Sequence, residues 1–294
     1  MKPPGYSRLL DFRDAEELAR LDDAGRAALL REILAHPPGQ DSWHALWELF
    51  ANWPEGEARR RHLQHAEVAL DRWPDDERVV SSAYRLLYDG GQVSVLARLA
   101  RRIVVERRDD EGSRELRALA ASPDVAGLTR LAITRSQVDG VAWREFVESP
   151  YWTSLRQLLV RGTMLGGAGI EGLMRSRAFP RLVDLQLVDV GCRPAALERV
   201  ADIDLAAPLT ALDLSSNAIG DDGVAVLARA VWLPRLRSLA LRDNHIGARA
   251  MQSLLVSPAL SRIEQVDFSG NRASAAERQG LEALAVRRGI GLVV

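Results

Sequence analysis

Several residue types are scarce in this chain of 294 residues, and each scarcity limits what the protein can do. Cys192 is the only cysteine, so no disulfide can form within the chain, which suits a reducing compartment. Lys2 is the only lysine, and every other basic side chain is an arginine. Acidic and basic residues nearly balance at a net charge of −1. No general field therefore attracts nucleic acid or an anionic membrane, and we expect neither as a partner.

Long apolar stretches are also missing from the sequence. No uncharged apolar run approaches the roughly 20 residues that a membrane span requires. The N-terminal residues are interrupted by charges and lack the apolar core of a secretory signal. We therefore expect a cytoplasmic protein that does not enter a membrane.

Asparagine is scarce too, but three of the four asparagines are regularly placed. Asn217, Asn244 and Asn271 lie 27 residues apart, and each ends an apolar pattern with the spacing L-x-x-L-x-L. Six copies of this pattern share one register, and their first apolar residues are Leu128, Leu155, Leu182, Leu209, Leu236 and Ile263. A second apolar column precedes them by nine residues, at Leu119, Phe146, Leu173, Val200, Leu227, Leu254 and Leu281. Ile290 and Val293 continue the 27-residue register as a terminal strand.

The segment LTALDLSSNAI, residues 209–219, resembles the leucine-rich repeat, L-x-x-L-x-L-x-x-N-x-I/L, whose units have about 20–29 residues. The connection NAIGDDGVAVLARA, residues 217–230, is similar to the ribonuclease-inhibitor-like subclass, and the whole resembles bacterial leucine-rich-repeat proteins. The resemblance covers about residues 113–294. It implies an α/β horseshoe of six 27-residue repeats plus a terminal strand, with the strands on the inside.

The asparagine at the end of each strand has a physical role in such an array. Its amide can accept and donate hydrogen bonds where the chain turns and leaves backbone groups without partners. Ser136 and Thr163 occupy the same column and can do this in part through a hydroxyl, whereas Val190 cannot. We therefore predict a hydrogen-bonded ladder with a local irregularity at the third repeat.

Residues 1–112 lack the 27-residue period and predict an α-helical domain that caps the repeat domain at 113–294. Its apolar stripes predict helices over about 29–34, 43–50, 63–73, 79–87 and 96–103. The segment AEVALDRWPDDERVVSSAYRLLYDGGQ, residues 66–92, resembles a tetratricopeptide unit, in which two helices are joined at a proline turn. Trp43 and Trp47 are expected in the core of this domain.

Residues that could carry catalysis are few, and each has a structural interpretation. His62 and His65 share a helix face without a third metal ligand, which favours a solvated face. Cys192 occupies an apolar column of the repeat and is expected to be a buried thiol. The glycine-rich segment GGAGIEG, residues 166–172, lacks the lysine of a phosphate-binding loop and lies at a strand-to-helix connection. We predict no enzyme, no metal, no cofactor and no small-molecule substrate.

The outward positions of the strands form the predicted concave face. In the first two copies this face carries four arginines and no acid: Arg130, Arg135, Arg156 and Arg161. The last four copies carry six acids, Asp184, Asp189, Asp213, Asp243, Glu264 and Asp267, against Arg237 and Arg242. We predict binding at Arg130, Arg156, Gln157, Arg161, Asp184, Gln186, Asp213, Arg242, Asp243 and Asp267. A polar face that only keeps the protein soluble is the alternative.

The predicted function is a non-enzymatic scaffold or adaptor that binds a protein partner of complementary charge through the concave face. A first alternative is an inhibitor or immunity-type regulator of an enzyme, which needs one tight and stoichiometric partner. A second alternative is an enzyme that uses the helical segment around His62 and His65. The concave face lacks aromatic residues, which argues against a carbohydrate ligand.

Overall fold

The computed structural model describes residues 15–81, 87–89, 92–107 and 111–294. Its main feature is a parallel sheet of nine strands in the order β1-β4-β5-β6-β7-β8-β9-β10-β11, beside a separate antiparallel pair, β2-β3. The strands are Val79–Ser81 (β1), Tyr88–Asp89 (β2), Gln92–Val93 (β3), Arg102–Val105 (β4), Arg130–Thr134 (β5), Gln157–Arg161 (β6), Asp184–Val188 (β7), Ala211–Asp213 (β8), Ser238–Ala240 (β9), Gln265–Asp267 (β10) and Gly291–Val293 (β11).

Helices precede the sheet and then alternate with its strands. The helices of the described residues are Ala15–Arg20 (α1), Asp23–Ala35 (α2), Gln40–Ala51 (α3), Glu57–Leu70 (α4), Glu111–Ala121 (α5), Gly140–Glu148 (α6), Gly166–Arg175 (α7), Pro194–Val200 (α8), Gly220–Leu227 (α9), Ala248–Val256 (α10) and Ala275–Arg288 (α11). This is the predicted α/β horseshoe with a helical N-terminal region.

The predicted 27-residue register is confirmed from β5 to β10. Leu131 pairs with Leu158, Leu158 with Leu185, and Leu185 with Leu212, and the same step continues to Val266. These inward residues are at most 3% exposed, as are their neighbours two positions later, from Ile133 to Phe268. Because strand side chains alternate, one apolar residue in two fills the core and the other faces the concave side. Burial of each such side chain contributes roughly 1.5–3 kcal/mol.

The sheet extends further toward the N-terminus than the sequence period indicated. The helix expected over 79–87 is wrong at 79–81, where β1 lies. The helix expected over 96–103 is confirmed only as a 3₁₀-helix at Val95–Leu99, because β4 begins at Arg102. Ile103 pairs with Leu131, and their separation along the chain is larger than the 27 residues of the repeat. Val80 pairs with Ile103, and the separation of these two along the chain is smaller than 27 residues. A search at one fixed period therefore does not find these strands. Ala83 and Leu86 of the expected helix lie outside the described residues, as do Gly90 and Gly91, which were expected to end it.

Strand β1 also stands where a tetratricopeptide hairpin would need its second helix, so that resemblance does not hold for 79–81. The division into a helical domain at 1–112 and a repeat domain at 113–294 stays a prediction. The parallel sheet does not stop at that position, since β1 and β4 belong to it.

The terminal strand differs from its prediction by one residue. Val266 pairs with Leu292 rather than with Val293, so the last step of the sheet is shorter than the repeat. Ile290 is buried as expected, whereas the side chain of Val293 is directed outward and is largely exposed. A shift of one residue in a strand moves each side chain to the opposite face.

The helical region covers the outer edge of β1 through two specific contacts. The Trp43 indole Nε1 donates to the Val79 carbonyl over 2.8 Å, which satisfies a group of the edge strand. The buried guanidinium of Arg78 donates to the carbonyls of Leu99 and Leu70, at 2.8 and 3.1 Å. Trp43 and Trp47 are both buried, as predicted. The first rung of the sheet is therefore capped, as terminal repeats require.

Candidate interaction surface

The asparagine ladder fixes the turn at the end of each strand. Asn217 Oδ1 accepts from the backbone N–H groups of Val190 and Cys192, both at 3.0 Å. Its Nδ2 donates to the carbonyls of Leu187 and Leu214, at 2.6 and 2.9 Å. Asn244 and Asn271 repeat this arrangement one and two rungs later: Asn244 accepts from the N–H groups of Asn217 and Ile219, and Asn271 from those of Asn244 and Ile246. Each amide thus joins its own turn to the preceding rung.

The earlier rungs use weaker substitutes. Thr163 Oγ1 accepts from the N–H of Ser136 at 3.2 Å, and Ser136 Oγ accepts from the N–H of Arg107 at 3.1 Å. Val190 offers no side-chain acceptor, and the N–H of Leu165 instead donates to the Val190 carbonyl at 3.1 Å. The irregularity predicted at the third rung is thus a change of acceptor from side chain to backbone.

A second regular feature follows directly after the strands. One column of the repeat has a left-handed backbone in all six copies, with φ between 49° and 72°: Arg135, Gly162, Asp189, Ser216, Asp243 and Gly270. Non-glycine residues adopt this conformation at a cost of roughly 1–2 kcal/mol. Its recurrence in every copy shows that the tight turn, not the residue type, is the constant element of each unit. Arginine at one of these positions and aspartate at two others show that charged residues are tolerated there.

The ten predicted binding residues all lie on the concave face or at its rim, where the turns begin. Four of them are exposed: Arg156, Arg161, Arg242 and Asp243. The other six are half-buried: Arg130, Gln157, Asp184, Gln186, Asp213 and Asp267. The structure divides this face into three parts, which differ in how much of the charge is already paired.

The arginine-rich end is partly neutralised by the N-terminal region. Arg130 Nη1 forms an ion pair with Asp76, and Arg135 lies 3.8 Å from the Glu106 carboxylate. Asp76 lies next to β1, and Glu106 follows β4. The 27-residue period does not reveal these two strands. Within the part of the chain that the structure describes, Arg156 and Arg161 have no ion-pair partner. They are the charges at this end that remain available to a ligand.

The centre of the concave face is a polar cluster around Asp184. Its carboxylate accepts from Gln157 Nε2 at 3.0 Å and from Gln186 Nε2 at 3.2 Å. Asp213 stands opposite Gln186 on the next strand. Burial raises the pKa of Asp184, the hydrogen bonds from the two glutamines oppose this shift, and the nearby negative charge of Asp213 adds to it. The hydrogen-bond donors to this carboxylate are neutral amides, and the charge of Arg130 has a smaller effect that lowers its pKa.

Much of the charge at the acid-rich end is engaged in contacts within the protein. Asp213 Oδ1 accepts from the N–H of Ser215 at 2.8 Å, and Asp267 Oδ1 accepts from that of Ser269 at 2.9 Å. Arg242 Nε lies 3.7 Å from Asp267 Oδ2. Asp189 and Asp243 are exposed at the rim instead, where they can meet a partner.

The residues considered for catalysis have structural surroundings. Cys192 is fully buried, which raises the pKa of its thiol to about 12. His62 stacks on Trp53 with ring centroids 5.1 Å apart and stays half-exposed, so this face of the helix has one aromatic contact beside solvent. Burial is the main cause that lowers the pKa of His62, followed by the charge of Arg61.

Neither a membrane-spanning helix nor a metal cluster occurs in the described residues. No helix in them is long and apolar enough to cross a membrane. No group of three or more histidine, cysteine, aspartate or glutamate side chains in these same ranges could hold a metal ion.

Comparison with known proteins identifies the repeat. The family model described as "Leucine Rich repeat" matches residues 207–228 and 234–255, the units that contain Asn217 and Asn244. No curated protein matches the chain. An internalin from Listeria monocytogenes is similar in structure, with a TM-score of 0.39 and 14% sequence identity. The similarity covers 69% of this chain and 50% of the internalin, so the chain spans half the length of that protein.

Proposed function

We propose that this leucine-rich-repeat protein is a non-enzymatic adaptor whose concave face binds a protein partner. The observation that carries the proposal is the separation of available charge along that face. Arg156 and Arg161 stand exposed just before β6 and at its end, whereas Asp189 and Asp243 stand exposed further along the sheet. A partner with the opposite order of charges would be steered to the face and held in one register.

The dimensions of the face support a protein as ligand. Nine parallel strands spaced about 4.8 Å apart form a surface roughly 40 Å long. This length exceeds what a small-molecule ligand needs. The alternation of one strand and one helix in each repeat supports assignment to the ribonuclease-inhibitor-like subclass. A cytoplasmic location in a bacterium remains part of this proposal.

An enzyme in the helical segment is the weaker candidate. His62 is engaged with Trp53 and has a lowered pKa. The Cys192 thiol is shielded, whereas a nucleophilic cysteine needs a lowered pKa and access. An enzyme inhibitor would use the same concave face with one stoichiometric partner, so a capture experiment also tests that role.

The proposal is tested by affinity capture from a lysate of the organism that encodes the protein, comparing the wild type with charge reversals. One variant carries Arg156→Glu and Arg161→Glu, and a second carries Asp189→Arg and Asp243→Arg. The second is compatible with the fold because Arg135 already occupies the same left-handed column. A matched control, Arg278→Glu with Arg287→Glu, changes exposed charges on α11.

We expect a partner that both concave variants lose by at least tenfold in yield and that the α11 control retains. A partner captured equally by all four proteins would refute the concave face as the binding site. If the captured partner is an enzyme that the wild type inhibits at a ratio of one to one, the inhibitor role replaces that of an adaptor.

A further inference from the structure

A large cavity of the protein lies on the convex side, away from the concave face. It is an open groove between α6 and α7 with a volume of about 1210 Å³. We call it the convex groove; Trp143 and Val147 of α6 and Ala168, Gly169 and Gly172 of α7 line its floor and walls. This volume exceeds the roughly 300–1,000 Å³ that is usual for small-molecule sites.

The glycine-rich segment at 166–172 creates the groove. A side chain at Gly172 would meet only Val147, at 3.9 Å, so the space in front of this position is open. Trp143 Nε1 donates to the Gly169 carbonyl over 2.8 Å and bridges the two helices at the floor. By contrast, Arg199 of α8 forms an ion pair with Glu171 and ties α8 to the other side of α7. Small residues therefore leave the space between α6 and α7 unfilled on one face only.

The groove combines an apolar end with a basic rim. Val141 and Met164 lie at its margin and are 54% and 69% exposed, so they add apolar surface to the groove. Four arginines and two acids line it: Arg117, Arg144, Arg175, Arg177, Asp139 and Glu148.

The charges of this rim are not balanced within the protein. Asp139 is already used, because its Oδ1 caps α6 and its Oδ2 binds Arg117 at 2.7 Å. Arg175 pairs with Glu171. Arg144, Arg177 and Glu148 form no ion pair with the described residues, so two positive charges and one negative charge of the rim stay unpaired. The convex groove thus offers positive charge beside exposed apolar surface.

We infer that the convex groove is a docking site for an acidic amphipathic helix of a partner protein. Both walls are helices whose backbone groups are bonded within themselves, so an extended peptide would find no backbone partners there. A helix satisfies its own backbone and can place apolar residues at i, i+3, i+4 and i+7 on the floor. Its acidic flanks would then meet Arg144 and Arg177.

The probe is a fluorescein-labelled synthetic helix of about five turns with leucines at that spacing, glutamates beside them and alanines elsewhere, titrated by fluorescence anisotropy. A second peptide replaces the glutamates with lysines. We compare the wild type with Gly172→Leu, which fills the groove, and with Gly280→Leu, which adds the same side chain at an exposed site on α11. A further variant, Arg144→Glu with Arg177→Glu, removes the basic rim without filling the groove.

We expect saturable binding of the acidic peptide to the wild type and to Gly280→Leu, with a Kd at least tenfold weaker for Gly172→Leu and for the rim variant. The basic peptide is expected to bind at least tenfold more weakly than the acidic one. Arg156→Glu with Arg161→Glu should leave this binding unchanged, which separates the groove from the concave face.

Absence of saturable binding, equal affinity for both peptides, or unchanged binding to Gly172→Leu and the rim variant would overturn the inference. Loss of binding in the concave variant alone would also overturn it, because the acidic peptide would then occupy the other face. Sedimentation velocity of the free wild type tests a second copy as the occupant. A dimer that Gly172→Leu abolishes would replace the partner helix with that copy.

Discussion

At the scale of single residues, three asparagines form hydrogen bonds that stabilise the turns of several repeats. The Asn217 side chain is 3% exposed and satisfies two backbone N–H groups of the preceding rung as well as carbonyls of that rung and its own. A buried polar group that loses its partner costs roughly 1–3 kcal/mol. One side chain therefore protects several such groups at once.

Asn217→Val is expected to lower the free energy of unfolding by about 3 kcal/mol or more, because Val190 and Cys192 lose the acceptor of their N–H groups. Urea denaturation measures this change, and amide hydrogen exchange should show reduced protection at Val190 and Cys192. The control is Asn52→Ala, which removes one bond to the Glu48 carbonyl at a helix end and should cost about 1 kcal/mol. Equal losses in the two variants would contradict a special role for the ladder.

Asp184 makes stability depend on pH in a direction opposite to that of a salt-bridged acid. Its pKa is raised in the folded protein, so the unfolded chain releases this proton first as the pH rises. Ionisation of Asp184 then reduces stability over the interval from its unfolded pKa up to its folded pKa. Asp184→Asn should therefore stabilise the protein more at pH 7 than at pH 3, relative to the wild type.

Thermal unfolding of Asp184→Asn and the wild type across this pH range measures the difference. Asp222→Asn, at an exposed acid in the first turn of α9, serves as the control for loss of one negative charge. A benefit of Asp184→Asn that is larger at pH 3 than at pH 7 would refute the assigned direction.

At the scale of elements, the sequence predicted those parts of the fold whose spacing is uniform. The strands from β5 to β10 could be predicted because their inward apolar columns repeat without insertion, as Leu131, Leu158 and Leu185 illustrate. Strands β1 and β4 could not be predicted in this way. The residue spacing from β1 to β4 differs from that from β4 to β5, and neither equals the period of the repeat.

Long-range polar contacts were even less accessible to sequence reasoning. Arg130 and Asp76 are 54 residues apart, and no local sequence pattern indicates that they form an ion pair. The concave residues could be predicted from alternation alone, but their pairing could not. The convex groove also depends on how two helices are spaced, which the glycines at 166–172 permit but do not by themselves indicate.

The covered edge of β1 gives a prediction for one element. Trp43→Phe keeps the buried ring but loses the indole donor to the Val79 carbonyl, so a buried acceptor is left without its partner. We expect a loss of about 1–2 kcal/mol and faster hydrogen exchange of the amides that join β1 to β4. Trp53→Phe is the matched control, because its indole donates to the Asp23 side chain within the helical region. Faster exchange of β1 and β4 in both variants would contradict the assigned contact.

At the scale of the whole molecule, the ladder has two sections. One runs from Asn271 to the N–H of Val190, and the other from Thr163 to the N–H of Arg107. In an array where each unit contacts mainly its neighbours, a weak junction divides cooperative unfolding into parts. We expect hydrogen exchange of the wild type to show two groups of rungs, which open separately on either side of Val190.

Val190→Asn should join the two sections by restoring a side-chain acceptor at the third rung. The expected result is a single, steeper urea transition and common exchange behaviour across the array. Val190→Thr, which adds one hydroxyl in the same volume, should give a smaller effect. A destabilised Val190→Asn that still opens in two groups would show that the junction has another cause.

The recurring left-handed turn has a consequence for how the protein can be lengthened. Ser216, Asp243 and Gly270 bend the chain at equivalent points, so the segment between two of them begins and ends with the same backbone geometry. A duplicate of residues 217–243 inserted after Asp243 should therefore enter as one additional rung. It would extend the inner surface by about 4.8 Å and bring its own ladder asparagine with it. Modular growth of this kind needs no redesign of either end.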